Sequence, residues 1–136
     1  MNDDFLSLNI EQAEFCVTDV ETTGLSPRSN NIIEIGIVKI SNLRIVEKFH
    51  SLVNPGRNIP YRISNITGIT NDEVFNAPFF EDIADKISLF ISTGIITGHN
   101  ISFDKSFLRK EFISCNQTNI NNLTLCTKKL ATRLYP

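Results

Sequence analysis

The 136-residue chain has a formal net charge of −2, 41% hydrophobic residues and three cysteines. This composition predicts one folded globular domain. The near-neutral charge excludes nucleic-acid binding by bulk attraction, so such binding would need a local basic patch or a metal ion. The cysteines lack C-x-x-C spacing, which indicates neither a zinc site nor a disulfide framework. Without a basic leader or a long apolar run, the chain is expected to be cytoplasmic and to have no membrane partner.

The first predicted strand carries two acids. Residues 1–13 are polar with scattered Leu and Ile and are expected to form an N-terminal extension before this strand, which covers Phe15–Glu21. Side chains alternate between the two faces of a strand, so Asp19 and Glu21 share one face with two apolar residues. This pattern predicts that both acids lie in buried surroundings.

This pair of acids needs compensation if its face is buried, because an unpaired buried carboxylate is costly or takes up a proton. No Lys or Arg lies within six residues on either side. A divalent cation such as Mg²⁺, which prefers oxygen ligands, is the simplest candidate. The alternative is a half-exposed strand end whose acids face water. Thr22, Thr23 and Gly24 then end the strand in a turn whose backbone can approach a ligand.

The remaining elements predict an α/β domain with a mixed sheet. Two β-prone segments, Ile32–Ile40 and Arg44–Val53, are expected to form an antiparallel hairpin, in which Glu34 is exposed or paired. Residues 54–70 have the composition of a loop. The later segments predict a helical turn, a helix with Pro78 in its first turn, a buried strand, and a final strand and helix: Asn71–Phe75, 78–91, 94–98, Leu123–Cys126 and Thr127–Leu134.

A third acid lies in the helix predicted after His99, for which Asn100 or Ser102 is the expected N-cap. At about 100° per residue, Asp104 falls in the apolar arc of this helix and points toward the sheet. A role in a site is one interpretation, and an acid that favours the helix dipole is the other. Glu111 has a similar angle two turns later and is expected to pair with a cation or to reach the rim.

Five short motifs occur in an order that closely resembles the DnaQ-like, or DEDD, family of 3′-to-5′ exonucleases, which includes the proofreading epsilon subunit of bacterial DNA polymerase III. The motifs are Thr18-Asp-Val-Glu-Thr-Thr-Gly24, Ile33-Glu-Ile-Gly36, Asn54-Pro-Gly56, Ile66-Thr-Gly-Ile-Thr70 and Gly98-His-Asn-Ile-Ser-Phe-Asp104. The resemblance implies a ribonuclease H-like fold. It also implies an exonuclease domain over residues 14–136, which we expect to stop before the last helix of the family.

The resemblance further implies the roles of individual residues. Asp19, Glu21 and Asp104 would be catalytic and would bind two Mg²⁺ or Mn²⁺ ions. The substrate, a DNA 3′ end that is expected to be single-stranded, would be contacted by residues of three motifs: Thr22, Thr23, Gly24, Leu25, Ile66, Thr67, His99, Asn100 and Phe103. Leu25 and Phe103 would contact either bases or the fold, and His99 would hold the turn before the helix or act directly. A DNA polymerase subunit is the implied partner.

The chain departs from the family in one respect. The family's third motif carries a general-base His and a fourth carboxylate, as His-x-x-x-x-Asp in the DEDDh subclass, but no His follows His99 and no Asp follows Asp104. Because a positioned general base commonly contributes about 10²- to 10⁴-fold, residues 1–136 alone are expected to be a weak or inactive nuclease. A non-catalytic module that binds nucleic-acid ends or a polymerase is one alternative, and an RNA-trimming exonuclease is another.

Overall fold

Five strands form one mixed sheet in this computed structural model, which describes residue 7, residues 9–117 and residues 120–136. The sheet has the order β3-β2-β1-β4-β5, where the strands are β1 (Phe15–Thr22), β2 (Ile32–Ser41), β3 (Arg44–Leu52), β4 (Ile95–Gly98) and β5 (Thr124–Cys126). The pairs β1–β2 and β2–β3 are antiparallel, whereas β1–β4 and β4–β5 are parallel. The predicted hairpin and the predicted mixed sheet are therefore confirmed.

The described residues also form five helices: α1 (Tyr61–Thr67), α2 (Asn71–Phe75), α3 (Phe80–Ile91), α4 (Ile101–Ser114) and α5 (Thr127–Leu134). Helix α1 lies in a segment that was expected to be a loop, so that expectation is wrong. The helix has only seven residues, none of them buried, and it ends at Gly68 with a left-handed φ of 75°. A helix of two turns with no buried face leaves no apolar period in the sequence.

The sequence predicted that Pro78 lies in the first turn of α3, but the residue precedes the helix. The helix begins at Phe80 with Phe79 as its N-cap, and the Pro78 carbonyl accepts a hydrogen bond from the Asn54 backbone N–H at 2.8 Å. The Asp82 carboxylate accepts the Phe79 N–H at 2.9 Å and so caps the helix from within. Pro78 thus joins the start of α3 to the segment that follows β3.

The main core lies between the sheet and helices α3 and α4. It includes Cys16 and Val20 of β1, which means that the Cys16–Val20 face of this strand is the covered one. The opposite face, which carries Asp19, is more open, and Val17 on that face is 36% exposed. The expectation that Asp19 lies in buried surroundings is therefore wrong, because both packing helices occupy the other side of the sheet. In the described ranges, no helix is both long and apolar enough to cross a membrane.

Candidate active site

Asp104 links helix α4 to the central strand of the sheet. The residue is 4% exposed, and its Oδ1 accepts a hydrogen bond from the Val20 backbone N–H at 2.9 Å. Val20 lies between Asp19 and Glu21, so this bond joins the first turn of α4 to the strand position between the two acids of β1. The prediction that Asp104 points toward the sheet is confirmed.

Asp19 and Glu21 lie near the C-terminal end of β1. Asp19 is exposed opposite Gly36 of β2, and Glu21 is half-buried opposite Glu34. The strand register then shifts between Glu21 and Thr22. Such an irregularity locally bends a strand and redirects its side chains, and here it falls where the acids end and the following turn begins.

Electrostatic coupling connects the three acids. The pKa of Asp104 is raised from 3.8 to about 6, chiefly by burial and to a lesser extent by the nearby charges of Asp19 and Glu21, against the lowering effect of the Val20 hydrogen bond. Burial also raises the pKa of Glu21, with additional contributions from Asp19 and Glu34. A raised carboxyl pKa means that negative charge is poorly compensated at that position. The site as formed by the protein alone therefore lacks positive charge.

The three acids have the donor chemistry of a divalent-cation site. Ion pairs within the described part of the chain join Lys39 to Glu14 and Glu47, His50 to Glu34, and Lys110 to Glu111, and they leave Asp19, Glu21 and Asp104 without a cationic side chain. Hard oxygen ligands with unmet negative charge are what Mg²⁺ and Mn²⁺ bind. Among the described residues, however, no three His, Cys, Asp or Glu side chains form a ready-made metal-binding group.

The turn after β1 has internal hydrogen bonds. The Thr22 hydroxyl donates to the Gly24 carbonyl at 2.7 Å, and the buried Thr23 hydroxyl donates to Asn30 Oδ1 at 3.1 Å. A Cβ on Gly24 would lie 2.5 Å from the same Asn30 oxygen, so a larger residue there would displace the Asn30 side chain. Leu25 follows with 86% of its surface exposed. The turn is rigid at its base and presents one large apolar side chain to solvent.

Glu111 is the residue near this turn that the motif analysis left without a site role. It is 6% exposed, and its Oε1 accepts from the Ile32 backbone N–H at 3.1 Å, the Asn31 side-chain amide at 3.3 Å and Lys110 Nζ at 3.3 Å. The expectation that Glu111 pairs with a cation is confirmed. Its spacing of seven residues from Asp104 on one helix face was the sequence signal for this placement.

The residues around the start of α4 do not all converge on the acids. His99 is exposed, and its Nδ1 lies 3.3 Å from the Thr127 hydroxyl, which connects it to α5. Asn100 is the N-cap position with a left-handed φ of 62° and makes no side-chain cap, while Ser102 lies inside the helix. Phe103 packs on Phe107 with ring centroids 5.0 Å apart. Of its two expected contacts, Phe103 thus makes the one to the fold.

Ile66 and Thr67 lie at the end of helix α1. Ile66 is 71% exposed, whereas the Thr67 hydroxyl bonds its own helix by donating to the Ile63 carbonyl at 2.9 Å. Ile63 packs on a second apolar cluster that contains Ile33 of β2. Ile69 of the same motif is a buried member of this cluster, so the structure attaches the motif to the sheet through Ile69 and leaves Ile66 on the surface.

Fold and site together define a nuclease-like class: a mixed sheet in an α/β domain, with acids at the end of its central strand and a third acid at the start of a following helix. A family model described as "Exonuclease" matches residues 16–136. The chain therefore belongs to the exonuclease family, and the resemblance to DnaQ-like proofreading exonucleases is confirmed.

Curated relatives include components of bacterial DNA polymerase III. The PolC-type DNA polymerase III of Thermotoga petrophila is 45% identical over 101 residues, which are 74% of this chain and 7% of that protein. The DNA polymerase III subunit epsilon of Aquifex aeolicus is 34% identical over 128 residues, which are 94% of this chain and 63% of that protein. The chain thus spans less than two thirds of the length of these relatives.

Solved structures give the same fold. Exonuclease X in complex with 5′-overhanging duplex DNA matches with a TM-score of 0.71 and 30% identity, over 90% of this chain and 64% of that one. The chain has the ribonuclease H-like fold that the motifs implied.

Proposed function

We propose that the protein is a metal-dependent 3′-to-5′ exonuclease that hydrolyses phosphodiester bonds at single-stranded DNA 3′ ends. The observation that carries this proposal is that Asp104 is bonded to the backbone between Asp19 and Glu21, that the charges of these two acids help to raise its pKa, and that the three acids have no cationic partner in the described chain. Membership of the exonuclease family and similarity to polymerase III components support the direction of cleavage and the choice of DNA.

In this proposal the three acids would hold two divalent ions, Mg²⁺ or Mn²⁺. When bound, such ions position a scissile phosphate, lower the pKa of water and stabilise a leaving oxygen. The chain's own contribution is to fix the acids. The Val20 N–H bond holds the buried Asp104 carboxylate against β1, and the exposure of Asp19 leaves its oxygens accessible to a substrate phosphate.

The turn after β1 would receive the terminal nucleotide. Leu25 follows Glu21 by four residues and is exposed to solvent. An exposed apolar side chain can pack on any of the bases. The hydrogen bonds of Thr22 and Thr23 would hold that side chain in place. Ile66, His99 and Asn100 would line the approach, and a DNA polymerase subunit would be the protein partner.

The direct test is Asp19→Asn in the full-length protein, with Asp72→Asn as the matched control because Asp72 is an exposed acid on α2. We expect Asp19→Asn to abolish nucleotide release from a 5′-labelled single strand, and the control to cleave normally. EDTA should abolish cleavage, and Mg²⁺ or Mn²⁺ should restore it. Undiminished cleavage by Asp19→Asn would refute the site.

The same assay distinguishes the alternatives. Binding of a 3′ end that ignores EDTA and tolerates Asp19→Asn, without cleavage, would identify a non-catalytic end-binding or polymerase-binding module. The observation that favours this candidate is that no three His, Cys, Asp or Glu side chains of the described residues form a ready-made metal-binding group. Faster trimming of RNA than of DNA of the same sequence would identify an RNA-trimming exonuclease, because a 2′-OH distinguishes the two substrates.

A further inference from the structure

Helix α4 holds both ends of the segment that forms the proposed site. Asp104 accepts the Val20 N–H, between the two acids of β1, and Glu111 accepts the Ile32 N–H, where the following loop enters β2. The two acids are seven residues apart, so they lie on one face of the helix about 10 Å from each other. The whole turn and loop, residues 23–31, lies between these two attachment points.

Hydrogen bonds lead from Glu111 through Lys110 and Asn30 to residues on both sides of Leu25. Lys110 Nζ donates both to Glu111 and, at 3.1 Å, to the Asn30 carbonyl. The Asn30 side chain accepts from the Thr23 hydroxyl and donates to the Ser26 carbonyl at 3.0 Å, so it bridges the residues on either side of Leu25.

A second attachment comes from the segment after β3. Arg57 Nη1 donates to the Ser29 carbonyl at 2.6 Å, and it contacts the loop from outside. The Arg57 guanidinium is near the surface, whereas the Glu111 carboxylate is buried, so Glu111 is the more restrictive of the two attachments. Its three donors come from backbone, amide and ammonium groups, which leaves the acid satisfied and fixed.

We propose that Glu111 is a positioning residue that orders the 23–31 loop and thereby sets Leu25 against the 3′-terminal nucleotide. This inference rests on the proposed exonuclease function and adds a residue to it that contacts neither the phosphate nor a metal. Glu111 acts through Asn30, Asn31 and Ile32. Its loss is expected to weaken capture of the 3′ end and to leave the acids of the site in place.

The kinetic signature separates positioning from catalysis. Glu111→Ala should raise KM for a single-stranded 3′ end about 10-fold with less change in kcat, because a misplaced binding element mainly removes binding shared by substrate and transition state. Glu111→Gln keeps an oxygen for the Ile32 N–H and should recover most of that loss. Lys110→Met removes the bond to the Asn30 carbonyl and the ion pair with Glu111 but keeps the Glu111 bonds to Asn31 and Ile32, and should have a partial effect.

A double-mutant cycle tests the route through Leu25. If Glu111 acts by placing Leu25, then Leu25→Ala with Glu111→Ala should raise KM no more than Leu25→Ala alone. Additive effects on KM would overturn the proposal. Glu81→Gln, on the exposed start of α3, is the matched control and should leave both constants unchanged.

Amide hydrogen exchange tests the inference independently of activity. In the full-length protein, Glu111→Ala and Lys110→Met should speed exchange in residues 23–32 but not in α3, and unchanged exchange in both variants would overturn the proposal. If the wild-type protein neither cleaves nor binds a DNA 3′ end, the exonuclease function fails while faster loop exchange still establishes the attachment. If cleavage is normal and KM is insensitive to Glu111→Ala, only the positioning role fails.

Discussion

The two buried acids of α4 occupy the same helix face and differ in their compensation. Glu111 has a lysine, a side-chain amide and a backbone N–H on one oxygen. Asp104 has the Val20 N–H, lies near two further acids, and its pKa is raised to about 6. The comparison teaches that burial alone does not mark a functional acid. An acid that burial leaves without a cation is the one suited to bind a metal from solution.

Substitutions of these two acids should differ most in their effect on metal-supported nuclease activity. We expect Asp104→Asn to lower kcat/KM on a single-stranded DNA 3′ end by about 10³-fold, because a metal site supplies several kcal/mol of transition-state stabilisation. Glu111→Gln should lower it less than about 10-fold. Measurement of nucleotide release with saturating Mg²⁺ checks both values, and equal losses would remove the distinction.

In the absence of metal, a substitution of Glu111 should lower the stability of the fold more than a substitution of Asp104, which is the reverse of the order expected for activity. Glu111→Ala leaves the Ile32 N–H and Lys110 without their acceptor, and we expect a loss of about 3 kcal/mol in the free energy of unfolding. Asp104→Asn keeps an oxygen for Val20 and removes a poorly compensated charge. Urea unfolding in EDTA at pH 8 measures both variants, and a larger loss in Asp104→Asn than in Glu111→Ala would contradict the comparison.

The effect of Asp104 on the free energy of unfolding should depend on pH, and the direction of its pKa shift fixes the sign of this dependence. The folded pKa of Asp104, about 6, exceeds its ordinary 3.8, so between these values the folded chain binds more protons than the unfolded chain. The carboxylate therefore destabilises the metal-free fold increasingly as pH rises from 4 to 7, by up to about 3 kcal/mol. Asp104→Asn should be more stable than the wild type by about 2 kcal/mol at pH 8 and by almost nothing at pH 4. The new amide NH₂ group needs a partner, which lowers the gain.

The smallest effect is expected at the ion pair between Glu34 and His50. Glu34 lies 2.7 Å from His50 Nε2, but the His50 side chain is 64% exposed. Exposed ion pairs contribute at most about 1 kcal/mol, so His50→Ala should change the free energy of unfolding by less than that. A larger change in urea unfolding at pH 6 would show that exposure is a poor guide to compensation in this sheet.

The sequence predicted most of the architecture and the identity of the acids. Strand alternation and the hairpin spacing defined β1 to β3, and the helical angle of Asp104 correctly predicted its burial. These features depend on local periodicity, which a sequence displays directly. Both faces of β1 were expected to be covered, and this was wrong for the face that carries Asp19, because both faces begin with apolar residues and only tertiary packing selects between them.

Other parts of the site could not be predicted because they are made by contacts distant in sequence. The bond from Ile32 to Glu111 joins residues 79 positions apart, and the bond from Val20 to Asp104 joins residues 84 positions apart. No periodic pattern encodes such pairs. Helix α1 was missed for a different reason, since its seven residues contain no buried position that would create a period.

The seven-residue interval between Asp104 and Glu111 constrains how this gene can change. A single-residue insertion between them would rotate one acid by about 100° relative to the other and lengthen the separation by about 1.5 Å. One of the two attachments to the β1–β2 segment would then be lost, whichever end of α4 kept its place. Point substitutions on the exposed side of α4, such as at Arg109, leave this interval intact. Over evolutionary time, the helix can therefore tolerate changes in composition much more readily than changes in length.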